Sequence, residues 1–183
     1  MRDKPTQLTF RNNIAQFVTE NINLRSIPDV ALQAIEEGFD SPSLLILAGL
    51  LKNENEFLID RYFKDALQEL SIELPDKRQA AIEVGLAIAD EIIEGKQDIF
   101  EGVRDIRLKA IYAYPFFDES KQYCYDSIGF EKAYGLFDTI DELKAAGSTQ
   151  WQSDKTNQEL EEVLKKDLLT ELKVWSVRMK NGS

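Results

Sequence analysis

The chain has 183 residues, of which 43% are hydrophobic and 30% are charged, and its formal net charge is −11. This composition is typical of one folded domain, and a negative field repels nucleic-acid phosphates and anionic lipid headgroups. We therefore expect a single domain over residues 1–183, frayed at 1–6 and 179–183, that binds neither nucleic acid nor a membrane.

Helical periodicity begins near the N-terminus. Apolar residues at spacings of three and four predict a helix of about 15 residues between Leu8 and Ile22. A second helix is predicted between Ser26 and Gly38, and a third begins at Ser41, which precedes a proline. Because SLLILAGLL is apolar on every side, we expect this third helix to be the central buried element.

Three more helices are predicted before residue 115. The stretch ENEFLIDRYFKDALQEL is amphipathic. The next stretch, KRQAAIEVGLAIADEIIEG, offers Gly85 for a close helix contact and Gly95 as a terminator. Asp98 is predicted to cap the helix that follows, and Pro115 prevents its continuation.

The remaining sequence predicts helical turns at residues 119–128, a long helix through FEKAYGLFDTIDELKAAG, and a polar loop at residues 147–157. A final helix through NQELEEVLKKDLLTELKVWSV carries an apolar stripe. In total the sequence predicts about seven to nine helices and no confident strand. The expected fold is all-α, either an irregular multi-helix bundle or stacked helical pairs.

Residues 34–106 also carry an ordered series of short strings. They are E-G-aromatic-D-S-P-x-L, L-A-G, A-L-x-E-L-x-I-x-L-P and I-x-x-G, followed by a turn with E-G. This series resembles an uncharacterised family of small all-helical bacterial proteins. The resemblance implies a bacterial, helical, intracellular protein and carries over no catalytic residue. Its fixed points are Gly38, Asp40, Ser41, Pro42, Leu44, Ala48, Gly49, Leu67, Glu69, Leu70, Pro75, Gly95 and Gly102.

The residue types present restrict the chemistry. The sequence has no histidine, which excludes imidazole-based catalytic triads and imidazole metal ligands. Its one cysteine, Cys124, cannot form an internal disulfide or a cysteine zinc site. Together with the lack of a long apolar run, this pattern predicts a cytoplasmic, non-catalytic protein without a cofactor.

An aromatic region from Tyr112 to Phe137 holds nine of the eighteen aromatic residues. We interpret most of it as core, with Phe116 and Phe117 filling the gap before the next helix. Some tyrosines are predicted to form a partner-binding surface, because tyrosine is enriched at interfaces and its hydroxyl group stays near water. These are Tyr112, Tyr114, Tyr123 and Tyr125.

Negative charge is concentrated in residues 29–94, which hold fifteen acidic and five basic residues. We expect Asp60, Asp65 and Glu69 to contribute to binding of a basic protein, because such a field attracts cations. The partner-binding hypothesis includes an adaptor and an immunity-type inhibitor, which would cover the phosphate-binding cleft of a basic toxin nuclease. A helical scaffold subunit is an alternative, and the sequence leaves the oligomeric state open.

A second alternative is a magnesium-dependent enzyme that uses carboxylates alone. Glu91 and Glu94 lie on one helix face in an E-x-x-E string, which resembles half of the motif of all-α nucleotide pyrophosphohydrolases. The second acidic pair of that motif is broken here, since only Asp98, Glu101 and Asp105 follow. If any residues bind metal, we expect Glu91 and Glu94 to do so.

Overall fold

The computed structural model describes residues 9–51, 53–146 and 156–182. Within these ranges the chain forms eight α-helices and no strand, which confirms the predicted all-α fold. Residues 1–6 and most of the predicted loop at 147–157 lie outside the described residues. The helices are α1 (Phe10–Val18), α2 (Ile27–Glu36), α3 (Pro42–Ala48), α4 (Glu56–Glu69), α5 (Lys77–Ile93), α6 (Ile99–Lys109), α7 (Glu131–Ala146) and α8 (Asn157–Asn181).

The chain divides into two compact units, Met1–Val84 and Gly85–Ser183, and the division falls within α5. Whether the two units behave as the single predicted domain stays a prediction, as does fraying at residues 179–183, of which α8 includes the first three. No helix in the described ranges is long and apolar enough to cross a membrane.

The first unit is built around α2, which packs against α1, α3 and α4. Its core contains Phe10, Leu44, Ile59 and Phe63, all almost completely buried. The Glu37 carboxylate accepts the backbone N–H of Phe10 at 2.9 and 3.0 Å, which fixes the start of α1 against the end of α2. Because Ile59 and Phe63 belong to α4, the apolar face of this predicted amphipathic helix packs into the core as expected.

Helix α1 is shorter than the predicted helix, and it ends before Ile22. Glu20 adopts a left-handed conformation with φ of 62°, and the N–H of Asn21 donates to the carbonyl oxygen of Gln16 at 2.9 Å. This hydrogen bond closes a Schellman turn, which satisfies the last carbonyl groups of the helix. The apolar spacing continues past the turn although the helix does not.

Helix α3 is not the central buried element that its composition predicts. Leu44 and Leu47 are completely buried, but 54% of Leu45 and 44% of Ile46 are exposed. The helix has only seven residues, and it packs against α2 and α4 with one face. An all-apolar segment cannot indicate which face will be buried, because its pattern has no polar side.

The second unit contains α6, α7 and α8, which pack on one another. Phe100 of α6 stacks on Phe137 of α7 with ring centroids 4.9 Å apart. The predicted close contact at Gly85 is present, since a Cβ atom there would lie 3.1 Å from the Trp175 ring. The core of this unit thus follows the predicted apolar stripes.

Candidate functional site

A continuous series of ring contacts crosses the second unit. Phe117 packs against Tyr125 with centroids 6.3 Å apart, and Tyr125 packs edge-on against Tyr134 at 4.9 Å. The Arg107 guanidinium lies over the Tyr134 ring at 5.8 Å and over the Tyr112 ring at 5.3 Å. We call these five residues, Phe117, Tyr125, Tyr134, Arg107 and Tyr112, the aromatic ladder.

The two ends of the ladder are exposed and its middle is not. At the ends, 61% of Phe117 and 51% of Tyr112 are exposed, whereas only 8% of Tyr125 is. Tyr134 and Arg107 are half-buried. Buried Tyr125 and half-buried Arg107 therefore hold the exposed rings of Phe117 and Tyr112 in place.

Tyr125 is directed inward by the local backbone. It adopts a left-handed conformation with φ of 64°, and its N–H donates to the Ser120 hydroxyl oxygen at 2.9 Å. The Asp126 carboxylate accepts the backbone N–H groups of Gln122 at 2.8 Å, Lys121 at 2.9 Å and Tyr123 at 3.1 Å. These hydrogen bonds hold the pKa of Asp126 below its ordinary value, because they stabilise the ionised form. One carboxylate thus organises the turn that carries Tyr123 and Tyr125.

The ladder holds one positive charge among neutral phenols. The Arg107 Nε–H donates to the Tyr112 hydroxyl oxygen at 2.5 Å, and this bond raises the pKa of Arg107. Burial raises the pKa values of Tyr125 and Tyr134, so both phenols keep their protons at neutral pH. The arrangement can offer ring faces, phenol hydroxyl groups and a guanidinium to another molecule, and it contains no nucleophile paired with a base.

The predicted tyrosines fall into different environments. Tyr112 and Tyr125 belong to the ladder, and Tyr123 lies beside it with 60% of its surface exposed. Tyr114 is half-buried and packs on Phe116 at 4.8 Å, so it supports the core. Tyr125, which we expected near water, is buried.

Three ladder residues were not predicted as site residues. Phe117 was expected to fill a gap in the core, and this is wrong because the adjacent Phe116 occupies the core instead. Tyr134 lies in the aromatic region that we interpret mostly as core, and Arg107 is not among the predicted site residues. A cation shortly before a tyrosine-rich segment is a signal that could have indicated Arg107, since guanidinium groups stack on aromatic rings.

The predicted acidic residues of the first unit each have an internal partner. Lys64 donates to Asp60 at 2.6 Å, and Arg61 Nε lies 3.8 Å from Asp65. The Glu69 carboxylate accepts the Ser43 hydroxyl at 2.7 Å and the Ser43 N–H at 2.9 Å, which lowers the pKa of Glu69. Glu69 therefore fixes the start of α3, and Asp60 and Asp65 are partly neutralised on their own helix.

The acids considered for metal binding lie at the end of α5. Glu94 pairs with Lys96 at 2.5 Å, and Glu91 is half-buried. Across the part of the chain that the structure describes, no group of three or more acidic or cysteine side chains is arranged to hold a metal ion. Metal binding by Glu91 and Glu94 stays a prediction.

Comparison with protein-family models, with curated proteins and with solved structures finds no match to this chain.

Proposed function

We propose that this is a cytoplasmic, non-catalytic protein-binding protein and that the aromatic ladder is its partner-binding surface. The observation that carries the proposal is the exposure of Tyr112 and Phe117 on rings that internal contacts hold in place. Rings that are already ordered lose little conformational entropy on association. Tyrosine and arginine are also the residue types that dominate binding energy at protein interfaces.

The charge of the chain favours a basic partner. The net charge is −11, and two exposed acids, Asp118 and Asp138, lie next to the ladder. Asp138 acts electrostatically on both Arg107 and Tyr134, and Asp118 follows Phe117 in sequence. Complementary charge speeds association and sets specificity, so binding would weaken with salt. An immunity-type inhibitor of a basic toxin nuclease is one specific form of this proposal, and an adaptor is another.

Affinity capture tests the proposal. The tagged full-length protein is used to capture partners from a lysate of the cells that naturally produce it, with a low-salt wash followed by a high-salt wash. The test variant carries Tyr112→Ser and Phe117→Ser, and the matched control carries Val174→Ser and Val177→Ser, which are exposed apolar positions on α8. We expect one basic protein on the wild type and the control, released by salt and missing from the test variant.

Either of two results would count against the proposal. If the test variant retains the same protein, the ladder is not the binding surface. If the wild type retains no specific protein at low salt, the result contradicts the proposal that this chain binds a protein partner.

Leu45 and Ile46 favour a second candidate function, a self-associating scaffold subunit. Both are exposed on α3, next to each other in a helix of seven residues. Sedimentation of the wild type and of a Leu45→Gln, Ile46→Gln variant tests it. A dimer that dissociates in the variant would support the scaffold, and a monomeric wild type would oppose it.

A further inference from the structure

The guanidinium of Arg107 is held by ring contacts and by one hydrogen bond. It lies over the Tyr112 ring at 5.3 Å and over the rings of Tyr134 and Phe137 at 5.8 Å. Its Nε–H donates to the Tyr112 hydroxyl oxygen. A mobile arginine loses side-chain entropy when it binds a ligand, and these contacts already restrict Arg107. The group is therefore preorganised for binding.

The outer edge of this guanidinium, formed by Nη1 and Nη2, has no partner within the described residues. Arg107 donates there only through Nε, and Asp138 acts on it electrostatically without forming an ion pair. Among the buried and half-buried residues that the structure describes, only Glu131 has a buried polar side-chain atom without a hydrogen-bond partner. Both Nη atoms of Arg107 therefore reach solvent, and their N–H groups can donate to another molecule.

Arg104, about one turn earlier on α6, shows what such an edge binds. It also lies over an aromatic ring, that of Phe100, at 4.8 Å. Its Nη1 donates to the two Glu101 carboxylate oxygens at 2.7 and 2.9 Å, and its Nη2 lies 3.8 Å from Asp141. The parallel N–H groups of a guanidinium match the two oxygens of a carboxylate. The ligand that fits the open edge of Arg107 is therefore a carboxylate.

The surroundings favour one source of that carboxylate. The exposed acids Asp118 and Asp138 favour a basic partner, whose acidic side chains are outnumbered by cations that can pair with them. A C-terminal carboxylate is present even in a basic chain, and its capture is a recurring mode of peptide recognition. The exposed rings of Tyr112 and Phe117 can contact the side chain of the last residue.

We propose that the aromatic ladder binds the free C-terminus of its protein partner, with the terminal carboxylate on Arg107 and an apolar or aromatic last side chain on the exposed rings. This inference rests on the proposed function of the ladder. It adds the chemical group that the ladder recognises.

Small probes test this anchor without the partner. N-acetyl-phenylalanine carries a terminal carboxylate and an aromatic ring, and its amide has the same ring without the charge. N-acetyl-glutamyl-phenylalanine amide presents a side-chain carboxylate instead. NMR titration at constant ionic strength follows the Arg107 Nε–H and the backbone amides of Tyr112 and Tyr134, whose shifts give the affinity of each probe.

Two variants separate the planar guanidinium from its charge. Arg107→Lys keeps the positive charge and removes the fork, and Arg104→Lys makes the same change on the same helix. We expect the wild type and Arg104→Lys to bind N-acetyl-phenylalanine with a Kd below about 10 mM, within about twofold of each other. Arg107→Lys with the acid, and the wild type with either amide, should bind at least about tenfold more weakly.

The proposal is overturned if the simple amide or the glutamyl probe binds the wild type as tightly as the acid, or if Arg104→Lys loses as much affinity as Arg107→Lys. It is also overturned if the wild type binds no probe up to about 10 mM. The comparison of acid and amide uses the wild type alone, so it does not depend on the folding of a variant.

Failure of this inference is distinguishable from failure of the proposed function. A partner that requires Tyr112 and Phe117, together with a wild type that does not bind the acid, contradicts the C-terminal anchor alone. Binding of the acid through Arg107, together with a capture experiment that retains no specific protein, contradicts the proposed partner.

Discussion

The Trp175 indole N–H donates a hydrogen bond to the carbonyl oxygen of Ile128 at 3.0 Å, and both groups are buried. This bond joins α8 to the segment that precedes α7, which carries Phe117 and Tyr125 of the aromatic ladder. The Trp175 ring also packs edge-on against Phe130, with centroids 5.0 Å apart. Helix α8 thus holds the segment before α7 by one hydrogen bond, to Ile128, and by one ring contact, with Phe130.

Trp175→Phe tests this connection. The change leaves the Ile128 carbonyl buried without a donor, so we expect a loss of about 1 to 3 kcal/mol in the free energy of unfolding, measured by urea denaturation. Val177→Ala, at an exposed position of the same helix, should change it by less than about 0.5 kcal/mol. Equal effects of the two substitutions would contradict the assigned role of the hydrogen bond.

Two glycines should respond to alanine with opposite signs. At Gly102 a Cβ atom would lie 2.4 Å from Ile92 Cγ1 and 2.5 Å from its Cδ1, and Ile92 is buried. Gly102→Ala is therefore expected to destabilise the protein by about 1 to 3 kcal/mol. Gly135→Ala, where the added atom meets open space, should stabilise it by about 0.5 to 1 kcal/mol.

Thermal and urea unfolding of both alanine variants measures these changes. In the Gly102→Ala background, Ile92→Val should recover part of the loss, because it removes one of the two clashing atoms. A destabilising Gly135→Ala, or a neutral Gly102→Ala, would show that the helix contacts differ from those described.

The Glu69 carboxylate should make stability depend on pH. Its folded pKa is lowered from 4.5, chiefly by the Ser43 hydroxyl hydrogen bond. A group with a lowered folded pKa stabilises the fold above its unfolded pKa, and that contribution disappears as the pH falls through the folded value. Glu69→Gln should therefore lower the free energy of unfolding by its full amount above about pH 4.5. The difference from the wild type should become smaller at lower pH.

Urea denaturation across a pH series measures this effect. Asp65→Asn is the control, since its partner Arg61 lies 3.8 Å away and both side chains are exposed to solvent, so little change is expected at any pH. A Glu69→Gln deficit that stays constant through the acidic range would argue against the linkage.

Asp126→Ala should loosen the turn beneath Tyr123 and Tyr125. The substitution removes the acceptor for the N–H groups of Lys121, Gln122 and Tyr123, so their amide hydrogens should exchange faster. Trypsin should also cut sooner after Lys121. Asp118→Ala removes the same charge from a nearby exposed position and should leave both rates unchanged. Unchanged exchange in Asp126→Ala would mean that the turn is held by other contacts.

Helix boundaries were predictable where a polar side chain or a glycine determines them. Ser41 accepts the Leu44 N–H at 3.2 Å, and Asp98 accepts those of Phe100 and Glu101 at 2.9 and 3.0 Å, as their positions before apolar stripes indicate. The end of α1 was not predictable in this way. Helix α1 ends at Val18, and Glu20, two residues later, adopts a positive φ without being glycine.

The candidate site could be predicted in part. Tyr112 and Tyr123 stand out by residue type in a tyrosine-rich segment, and both are exposed. Phe116 and Phe117 are the same residue type, yet Phe116 is buried and Phe117 is exposed. Which of the two side chains enters the core depends on the path of the backbone, and the residue types alone do not indicate that path. The contact of Arg107 with Tyr134 joins two helices, and no local pattern encodes such a pairing.

The role of the aromatic ladder as a binding surface is tested by the affinity of the captured partner for three purified proteins. These are the wild type, the Tyr112→Ser, Phe117→Ser variant and the Val174→Ser, Val177→Ser control, each titrated by calorimetry at low salt. If the ladder is the binding surface, the ladder variant should bind at least about tenfold more weakly, which corresponds to about 1.4 kcal/mol, with an unchanged Tm. An affinity equal to that of the wild type, or an equal loss in the control, would contradict it.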